Sequence, residues 1–223
     1  MRAAVLFSGG KDSALAAYEA RQAGLEIRYL VSIMPESNES YMFHHPNIEL
    51  TRVQAGLMGI PIITRATRGE KEVELLDLEL ALQSIRKGID SVVSGAVASE
   101  YQKKRVDMVC GKLGLRSHAP LWHRDPLGLW RSCLDNGFRV MITAVACDGL
   151  DRRWLGKVID EEGLAKLRKL SERHRFHLGG EGGEFETLVI DCPLFKKGMK
   201  IERKGIEWDE KTNSGMLAVI GVE

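Results

Sequence analysis

The stretch Val5–Gly24 reads VLFSGGKDSALAAYEARQAG and decides the fold of the first half of the chain. Its apolar start, up to Phe7, is typical of a buried strand. The spacing of alanine and apolar residues after Ser13 is typical of a helix, which the final glycine ends. The stretch therefore predicts a strand, a glycine-containing turn and a helix in immediate succession.

The turn of this unit has the composition of a phosphate-binding loop. Its two glycines permit a positive φ and leave no Cβ in the way of a ligand. The start of the helix presents N–H groups and the positive end of the helix dipole, which attract an anion. A lysine adds a full positive charge and two serines add hydroxyl donors. The candidate residues for binding a phosphate group are Ser8, Gly9, Gly10, Lys11, Asp12 and Ser13.

Two common phosphate motifs do not fit this turn. The P-loop would need glycine where Val5 stands and serine or threonine where Asp12 stands, and the dinucleotide fingerprint would need a different glycine spacing. The string SGGKDS instead resembles the SGGxDS loop of the ATP pyrophosphatase (PP-loop) superfamily. This resemblance implies that ATP is cleaved between its α- and β-phosphates and that the loop holds the pyrophosphate. It leaves the acceptor substrate open.

Composition and charge exclude several classes of function. The chain has 223 residues, of which 44% are hydrophobic, which suits one large or two small globular domains. A formal net charge of +1 argues against nucleic acid as a partner. No apolar run approaches the roughly 18 residues of a membrane span, and the first predicted strand leaves no room for a signal peptide. We therefore expect a cytoplasmic protein. The 28% of charged residues and the scarcity of Asn and Gln also predict a heat-adapted source.

The four cysteines, Cys110, Cys133, Cys147 and Cys192, lie far apart in the sequence. None forms a C-x-x-C pair, so the pattern argues against a zinc site and favours buried or bystander thiols. It also argues against thiolation chemistry that depends on paired cysteines.

Strands and helices alternate through the first half of the chain. The predicted strands are Ala3–Phe7, Ile27–Ile33, Ile60–Thr64 and Ser91–Gly95. The predicted helices after the first are Ile48–Met58 with Asn47 as N-cap, Lys71–Lys87, and one that begins with a Ser99–Gln102 capping box. This alternation predicts a doubly wound α/β fold with a mostly parallel sheet, whose ligands bind at the carboxyl ends of the strands. Three residues just after predicted strands therefore join the nucleotide candidates: Met34, Gly95 and Ala96.

The pattern changes near residue 120 to a smaller α+β unit. Asp125 and Pro126 are typical of a helix start, and Glu162–His174 has the periodicity of a second helix. The predicted strands of this part are Phe138–Ala146, Phe185–Ile190, Met199–Glu207 and Met216–Val222, the last two joined by a turn at Asn213-Ser214-Gly215. The sequence thus predicts two domains, 1–120 and 121–223.

Two loops at predicted strand ends carry aromatic and basic residues. The loop SYMFHHPN contains Phe43 and His44, and the segment SGAVASEYQ leads to Tyr101, Gln102 and Arg105 at a helix start. The first loop could cover the nucleotide or the acceptor, and Arg105 of the second segment could reach a phosphate or a carboxylate. A packed aromatic loop and a solvated helix start are the alternatives that the residues leave open.

The stretch HLGGEGGEFETLVID gathers four glycines and three glutamates. If a strand begins at Phe185, Glu184 and Glu186 point to one face of it. Two like charges at that spacing repel unless a cation lies between them. A cation pocket fits better than the alternative of a flexible acidic surface loop.

Four motifs in this order resemble the diphthine–ammonia ligase family: SGGKDS, YMFHHPN, SGAVASEYQKKRVDMVCGKLGL with PLW, and GGEGGEFETLVIDCPLF. The resemblance covers about Val5 to Phe195, and GEGGEFET is its most specific part. It implies ATP-dependent conversion of diphthine to diphthamide on translation elongation factor 2, with ammonium as the nitrogen donor. It also implies an archaeal or eukaryotic source, and the short chain resembles the archaeal form.

The resemblance assigns a role to each part of the chain. Domain 1–120 would bind ATP, with Lys11, Asp12 and Ser13 as catalytic residues. Asp12 would either orient the loop or help to hold Mg²⁺. Domain 121–223 would bind the acceptor. The candidates for the acceptor or ammonium are Phe43, His44, Tyr101, Gln102, Arg105, Glu181, Gly182, Gly183, Glu184, Glu186 and Thr187. The role of His45 stays open, and a homo-oligomer is compatible with the sequence. The rival readings are another PP-loop ligase that amidates or thiolates, for example on tRNA, and a nucleotide-binding module without turnover.

Overall fold

The computed structural model describes residues 1–35, 47–67 and 71–222. The chain divides into two compact units, Met1–His123 and Arg124–Glu223.

Unit 1 contains a parallel five-stranded sheet, which confirms the α/β fold that the sequence predicts. Its strand order is β3-β2-β1-β4-β5, and every pair of neighbours is parallel. The strands are β1 (Arg2–Leu6), β2 (Glu26–Pro35), β3 (Ile62–Thr67), β4 (Ser91–Val93) and β5 (Arg116–His118). Because β1 lies between β2 and β4, the loop after β1 sits where the strand order reverses. Ligands of such sheets bind at that point.

Four α-helices cross over between these strands: α1 (Lys11–Gln22), α2 (Thr51–Met58), α3 (Lys71–Ile85) and α4 (Glu100–Lys112). Leucine and isoleucine residues of α3, including Leu78 and Leu82, pack with Val106 and Val109 of α4 on one face of the sheet. Helix α1 buries Leu15 together with the small residues Ala14, Ala16 and Ala17, which allow it to lie close to its strands. No helix among residues 1–35, 47–67 and 71–222 has the length and apolar character needed to cross a membrane.

The start of α2 differs from the sequence prediction. Asn47 does not cap it: its backbone is left-handed with a φ of 65°, and a short 3₁₀ turn, Ile48–Leu50, follows. The α-helix begins at Thr51, whose Oγ1 donates to the carbonyl oxygen of Ile48 over 2.6 Å. One of the two bonds of the predicted capping box of α4 is confirmed, because Ser99 Oγ accepts the backbone N–H of Gln102 at 3.3 Å.

Unit 2 is built on an antiparallel sheet. Its strands are β6 (Arg139–Val145), β7 (Val158–Ile159), β8 (Phe185–Asp191), β9 (Ile201–Asp209) and β10 (Ser214–Val222), and its helices are α5 (Pro126–Asp135) and α6 (Glu161–His174). The order is β7-β6-β10-β9, and β8 pairs with β6. The predicted Asn213-Ser214-Gly215 turn is displaced, because Ser214 and Gly215 already pair with Asp209 and Trp208 in the β9–β10 hairpin.

Candidate active site

The loop between β1 and α1 has the shape that a phosphate site requires. Gly9 has a φ of 82°, a value that favours glycine, and Gly10 lies at the N-cap of α1 in extended conformation. Helix α1 therefore directs its first N–H groups and the positive end of its dipole toward the carboxyl edge of the sheet.

The two serines of the loop brace its backbone. Ser13 Oγ donates to the carbonyl oxygen of Gly10 at 3.1 Å and accepts the backbone N–H of Ser8 at 3.3 Å. The Ser8 hydroxyl donates to the same oxygen at 3.2 Å. The sequence predicts these hydroxyls as phosphate donors, and that role stays a prediction. In this structure they bond within the loop and hold its backbone in place.

Lys11 is the positive group of the loop. Its side chain is only 4% exposed, and its Nζ lies 2.8 Å from Asp12 Oδ2. A desolvated ammonium interacts strongly with an incoming anion, because little water screens it. Asp12 is 24% exposed, so its carboxylate faces both the lysine and the solvent.

The residues present fit a magnesium ion that is held mainly by phosphate oxygens. Within the described parts of the chain, no three or more His, Cys, Asp or Glu side chains gather into a metal cluster. Mg²⁺ bound with a nucleotide needs only one or two protein carboxylates, because phosphate oxygens and water complete its octahedron. Asp12 is the carboxylate in the loop that would supply that ligand.

Gln54 is a site residue that sequence reasoning missed. It is fully buried on α2, and its Nε2 donates to the carbonyl oxygen of Gly9 at 3.0 Å. The apolar spacing of Leu50, Val53 and Leu57 predicts that these three residues form the buried face of helix 48–58. The buried face is instead Thr51, Gln54, Ala55 and Met58. Polar Thr51 and Gln54 at helical spacing beside Ala55 and Met58 were the available signal, because a buried polar side chain needs a hydrogen-bond partner.

Gly95, one of the predicted nucleotide-site residues, makes room for the phosphate loop. A Cβ built at Gly95 would lie 2.8 Å from the backbone carbonyl carbon of Asp12 and 2.8 Å from the nitrogen of Ser13. Only glycine allows the segment after β4 to pass so close to the first turn of α1.

The remaining unit 1 candidates lie at the same edge of the sheet, since β2 and β4 run parallel to β1. Met34 stands near the end of β2, and Ala96 is buried just after β4. At the start of α4, the guanidinium carbon of Arg105 lies 3.7 Å from the centroid of the Tyr101 ring. Phe43, His44 and His45 lie outside the described residues.

The acidic candidates of unit 2 lie in the glycine-rich loop between α6 and β8. Glu181 is exposed and Glu186 is half-buried at the position in β8 that pairs with Ala144. Glu184 lies one residue before β8, and its side chain turns into its own loop. Its Oε1 accepts the backbone N–H of His177 and its Oε2 that of Gly182, both at 2.8 Å. The carboxylate of Glu184 is therefore already bound by backbone donors of its own loop.

Three cysteine thiols have a pKa well above the ordinary value. Burial raises the pKa of Cys110, Cys147 and Cys192 to about 11, and the charge of Glu184 adds to the effect at Cys147. These groups are protonated at neutral pH and are poor nucleophiles.

The parallel sheet and the SGGKDS loop at its reversal point define an α/β protein of the PP-loop type. Residues 1–117 match the family model described as the diphthamide synthase N-terminal domain, and residues 125–220 match the diphthamide synthase C-terminal domain. The chain belongs to the diphthamide synthase family.

Relatives named diphthine–ammonia ligase match most of this chain. The human protein is 34% identical, and the match covers 91% of this chain and 83% of the human one. The Danio rerio protein is 35% identical and covers 91% of this chain and 87% of its own length. The Schizosaccharomyces pombe protein is 31% identical over 92% of this chain, but the match covers only 37% of that longer protein.

Proposed function

We propose that this protein is a diphthine–ammonia ligase, which amidates diphthine to diphthamide on translation elongation factor 2 with ATP and ammonium. The observation that carries the proposal is the match of both units to the two diphthamide synthase domains. The phosphate loop at the reversal point of the unit 1 sheet supports the use of ATP.

The chemistry requires activation of the acceptor. A carboxylate is a poor electrophile at neutral pH, so ammonia does not displace its oxygen directly. Attack of the carboxylate oxygen on the α-phosphorus of ATP breaks the bond to the bridging oxygen and releases pyrophosphate. Ammonia, formed by loss of a proton from ammonium, then attacks the acyl carbon and displaces AMP.

Unit 1 would supply the groups that stabilise the leaving pyrophosphate. Lys11 and the backbone N–H groups at the start of α1 converge on the position where negative charge develops. Bound Mg²⁺ would neutralise phosphate charge, with Asp12 as its protein ligand. Two residues outside the loop stabilise its conformation. Gln54 donates a hydrogen bond to it, and Gly95 allows the segment after β4 to pack closely against its backbone.

Unit 2 would bind the acceptor. Diphthine carries a quaternary ammonium group, for which acidic and aromatic side chains are suitable partners. Glu181 is exposed and Glu186 is half-buried, whereas the equally half-buried Glu184 already accepts two backbone N–H groups of its own loop. We expect the reaction in the cytoplasm of an archaeal, heat-adapted source, without a nucleic acid partner. The homo-oligomeric state stays a prediction to be measured.

The experiment combines purified protein, ATP, Mg²⁺ and heavy-nitrogen ammonium with elongation factor 2 that carries diphthine. We expect AMP by chromatography and heavy nitrogen in the acceptor peptide by mass spectrometry. Elongation factor 2 without diphthine and the Lys11→Ala variant are the controls. ADP and phosphate as main products would refute cleavage at the α-phosphorus.

The same experiment separates the rival functions. AMP release that needs tRNA instead of elongation factor 2 would indicate another PP-loop ligase. Protonated thiols at Cys110, Cys147 and Cys192 argue against a thiolation route through these residues. ATP binding without AMP release for any acceptor would indicate a nucleotide-binding module.

A further inference from the structure

The glycine-rich loop of unit 2, residues 177–184, is held by two of its own side chains. The Nδ1 of His177 accepts the backbone N–H groups of Gly179 at 3.2 Å and of Glu181 at 3.4 Å. The two carboxylate oxygens of Glu184 accept the N–H groups of His177 and Gly182. One side chain from each end of the loop thus points inward and binds backbone donors.

Further bonds fasten the ends of this loop to the rest of unit 2. The indole Nε1 of Trp130 on α5 donates to the carbonyl oxygen of Leu178 at 2.9 Å. The backbone N–H of Ala146, just after β6, donates to the carbonyl oxygen of Glu184 at 2.8 Å. These contacts fix the ends, so the conformation between them depends on the inward bonds.

The glycines make those inward bonds necessary. Glycine loses more conformational freedom on ordering than any other residue, and four glycines lie between Leu178 and Glu184. Gly180 and Gly183 have φ values of 78° and 82°, a region that other residues rarely adopt. Without partners for its N–H groups the segment would populate many shapes.

The direction of the N–H groups also distinguishes this loop from the loop of unit 1. The N–H groups of residues 177, 179, 181 and 182 bind the two side chains, and those of 180 and 183 bind the carbonyl oxygens of His177 and Gly180. Its donors are used inside the loop. The loop is therefore not built as a second phosphate site, in spite of its glycines.

We infer that His177 and Glu184 are positioning residues of the proposed amidation. They fix the backbone that carries Glu181, so that Glu181 and Glu186 meet the cationic acceptor. Glu184 then contributes by holding the loop. In this it differs from the sequence prediction, which made Glu184 a candidate to bind the ammonium or the acceptor directly. This inference rests on the proposed function, and it assigns a role to His177, which begins the stretch HLGGEGGEFETLVID but was not among the candidate residues.

The test compares two substitutions at one position. His177→Leu removes the ring acceptor. His177→Asn keeps a hydrogen-bond acceptor at that place, because the amide oxygen of asparagine stands where Nδ1 stood. His174→Leu is the control, because His174 is an exposed histidine at the end of α6, outside the loop. The measurements are amide hydrogen exchange, ATP affinity, and KM and kcat for elongation factor 2 bearing diphthine.

We expect His177→Leu to raise exchange at Gly179 and Glu181 roughly tenfold or more, the equivalent of one lost hydrogen bond. KM for the protein acceptor should rise with it, while ATP affinity stays unchanged. His177→Asn should restore both exchange and KM, and His174→Leu should match the wild type. An unchanged KM in folded His177→Leu protein, or no rescue by asparagine, would overturn the inference.

Glu184→Gln tests the second residue, because glutamine keeps one acceptor oxygen and loses the other. Faster exchange at His177 or Gly182, together with a higher KM for the acceptor, supports the positioning role. Unchanged exchange with a higher KM for ammonium would instead make Glu184 a direct cation ligand. If wild-type protein fails to amidate the acceptor, the proposed function fails, while the exchange data still decide whether the two side chains hold the loop.

Discussion

At the scale of single residues, the ammonium of Lys11 is the group whose removal should affect turnover most. It is almost fully buried beside Asp12 and lies at the start of α1. We expect Lys11→Ala to slow AMP release on the order of 100-fold or more, because charge on the leaving pyrophosphate loses its partner. Lys112→Ala is the matched control, since that lysine is 57% exposed and pairs with Glu79. Near-normal turnover in folded Lys11→Ala protein would show that the loop is not the catalytic clamp.

A second residue-scale prediction concerns Gly95. A methyl group at this position would overlap the backbone of Asp12 and Ser13, which cannot move aside as a flexible side chain could. Gly95→Ala should lower the free energy of unfolding by about 1–3 kcal/mol and weaken ATP binding. Urea denaturation and calorimetry measure the two effects.

The control for Gly95 is Gly56→Ala within α2, where a built Cβ has no heavy atom within 4 Å. Alanine there should be neutral or stabilise by roughly 0.5–1 kcal/mol, because it restricts the unfolded chain. Equal stability of the Gly95→Ala variant and the wild type would contradict the close contact.

At the scale of elements, the sequence predicted what depends on periodicity and missed what depends on tertiary contacts. Strands β1 to β4 and their crossover helices follow from apolar patterns and glycine stops. Strand β5, Arg116–His118, has three residues and only half-buried or exposed side chains, so it carries no such pattern. The buried face of α2 was misjudged because Gln54 is buried for a hydrogen bond to Gly9. The inward turn of Glu184 likewise depends on backbone donors that become close only in the folded loop.

An element-scale prediction concerns the ion pair between Arg2 and Asp90, which joins the starts of β1 and β4. Two oxygens of Asp90 accept bonds from the Arg2 guanidinium, and Oδ2 also accepts the Arg2 backbone N–H at 2.9 Å. These bonds hold the pKa of Asp90 well below its ordinary value. The stabilisation is therefore complete above the unfolded pKa of about 4 and is lost as the pH falls through the lower folded pKa.

Asp90→Asn should accordingly lower the thermal midpoint at neutral pH, and the difference from the wild type should shrink as the pH falls below about 4. Glu172→Gln is the control, because Glu172 pairs with Arg168 within the single helix α6. Thermal denaturation over a pH series gives the comparison. A difference that stays constant into the acid range would contradict the ion-pair account.

At the scale of the whole molecule, the two units divide the proposed chemistry between two glycine-rich loops of opposite character. The loop of unit 1 directs a helix N-terminus and a buried ammonium toward an anion. The loop of unit 2 uses its N–H groups internally and carries carboxylates. The sequence revealed both loops through their glycines. Their opposite use of backbone donors is a property of hydrogen bonding that composition does not encode.

The last prediction follows from the independence of the unit 1 sheet. All five of its strands lie between Arg2 and His118, and its core cluster contains only residues of Met1–His123. We expect residues 1–123 alone to unfold cooperatively and to bind ATP, because the loop and the residues behind it, Gln54 and Gly95, are all present. Amidation of elongation factor 2 should be absent without unit 2. Circular dichroism and calorimetry test the fragment, and Lys11→Ala in the same fragment should weaken ATP binding. A fragment that folds but binds no ATP would mean that residues of unit 2 complete the nucleotide site, and the division of roles between the units would then be wrong.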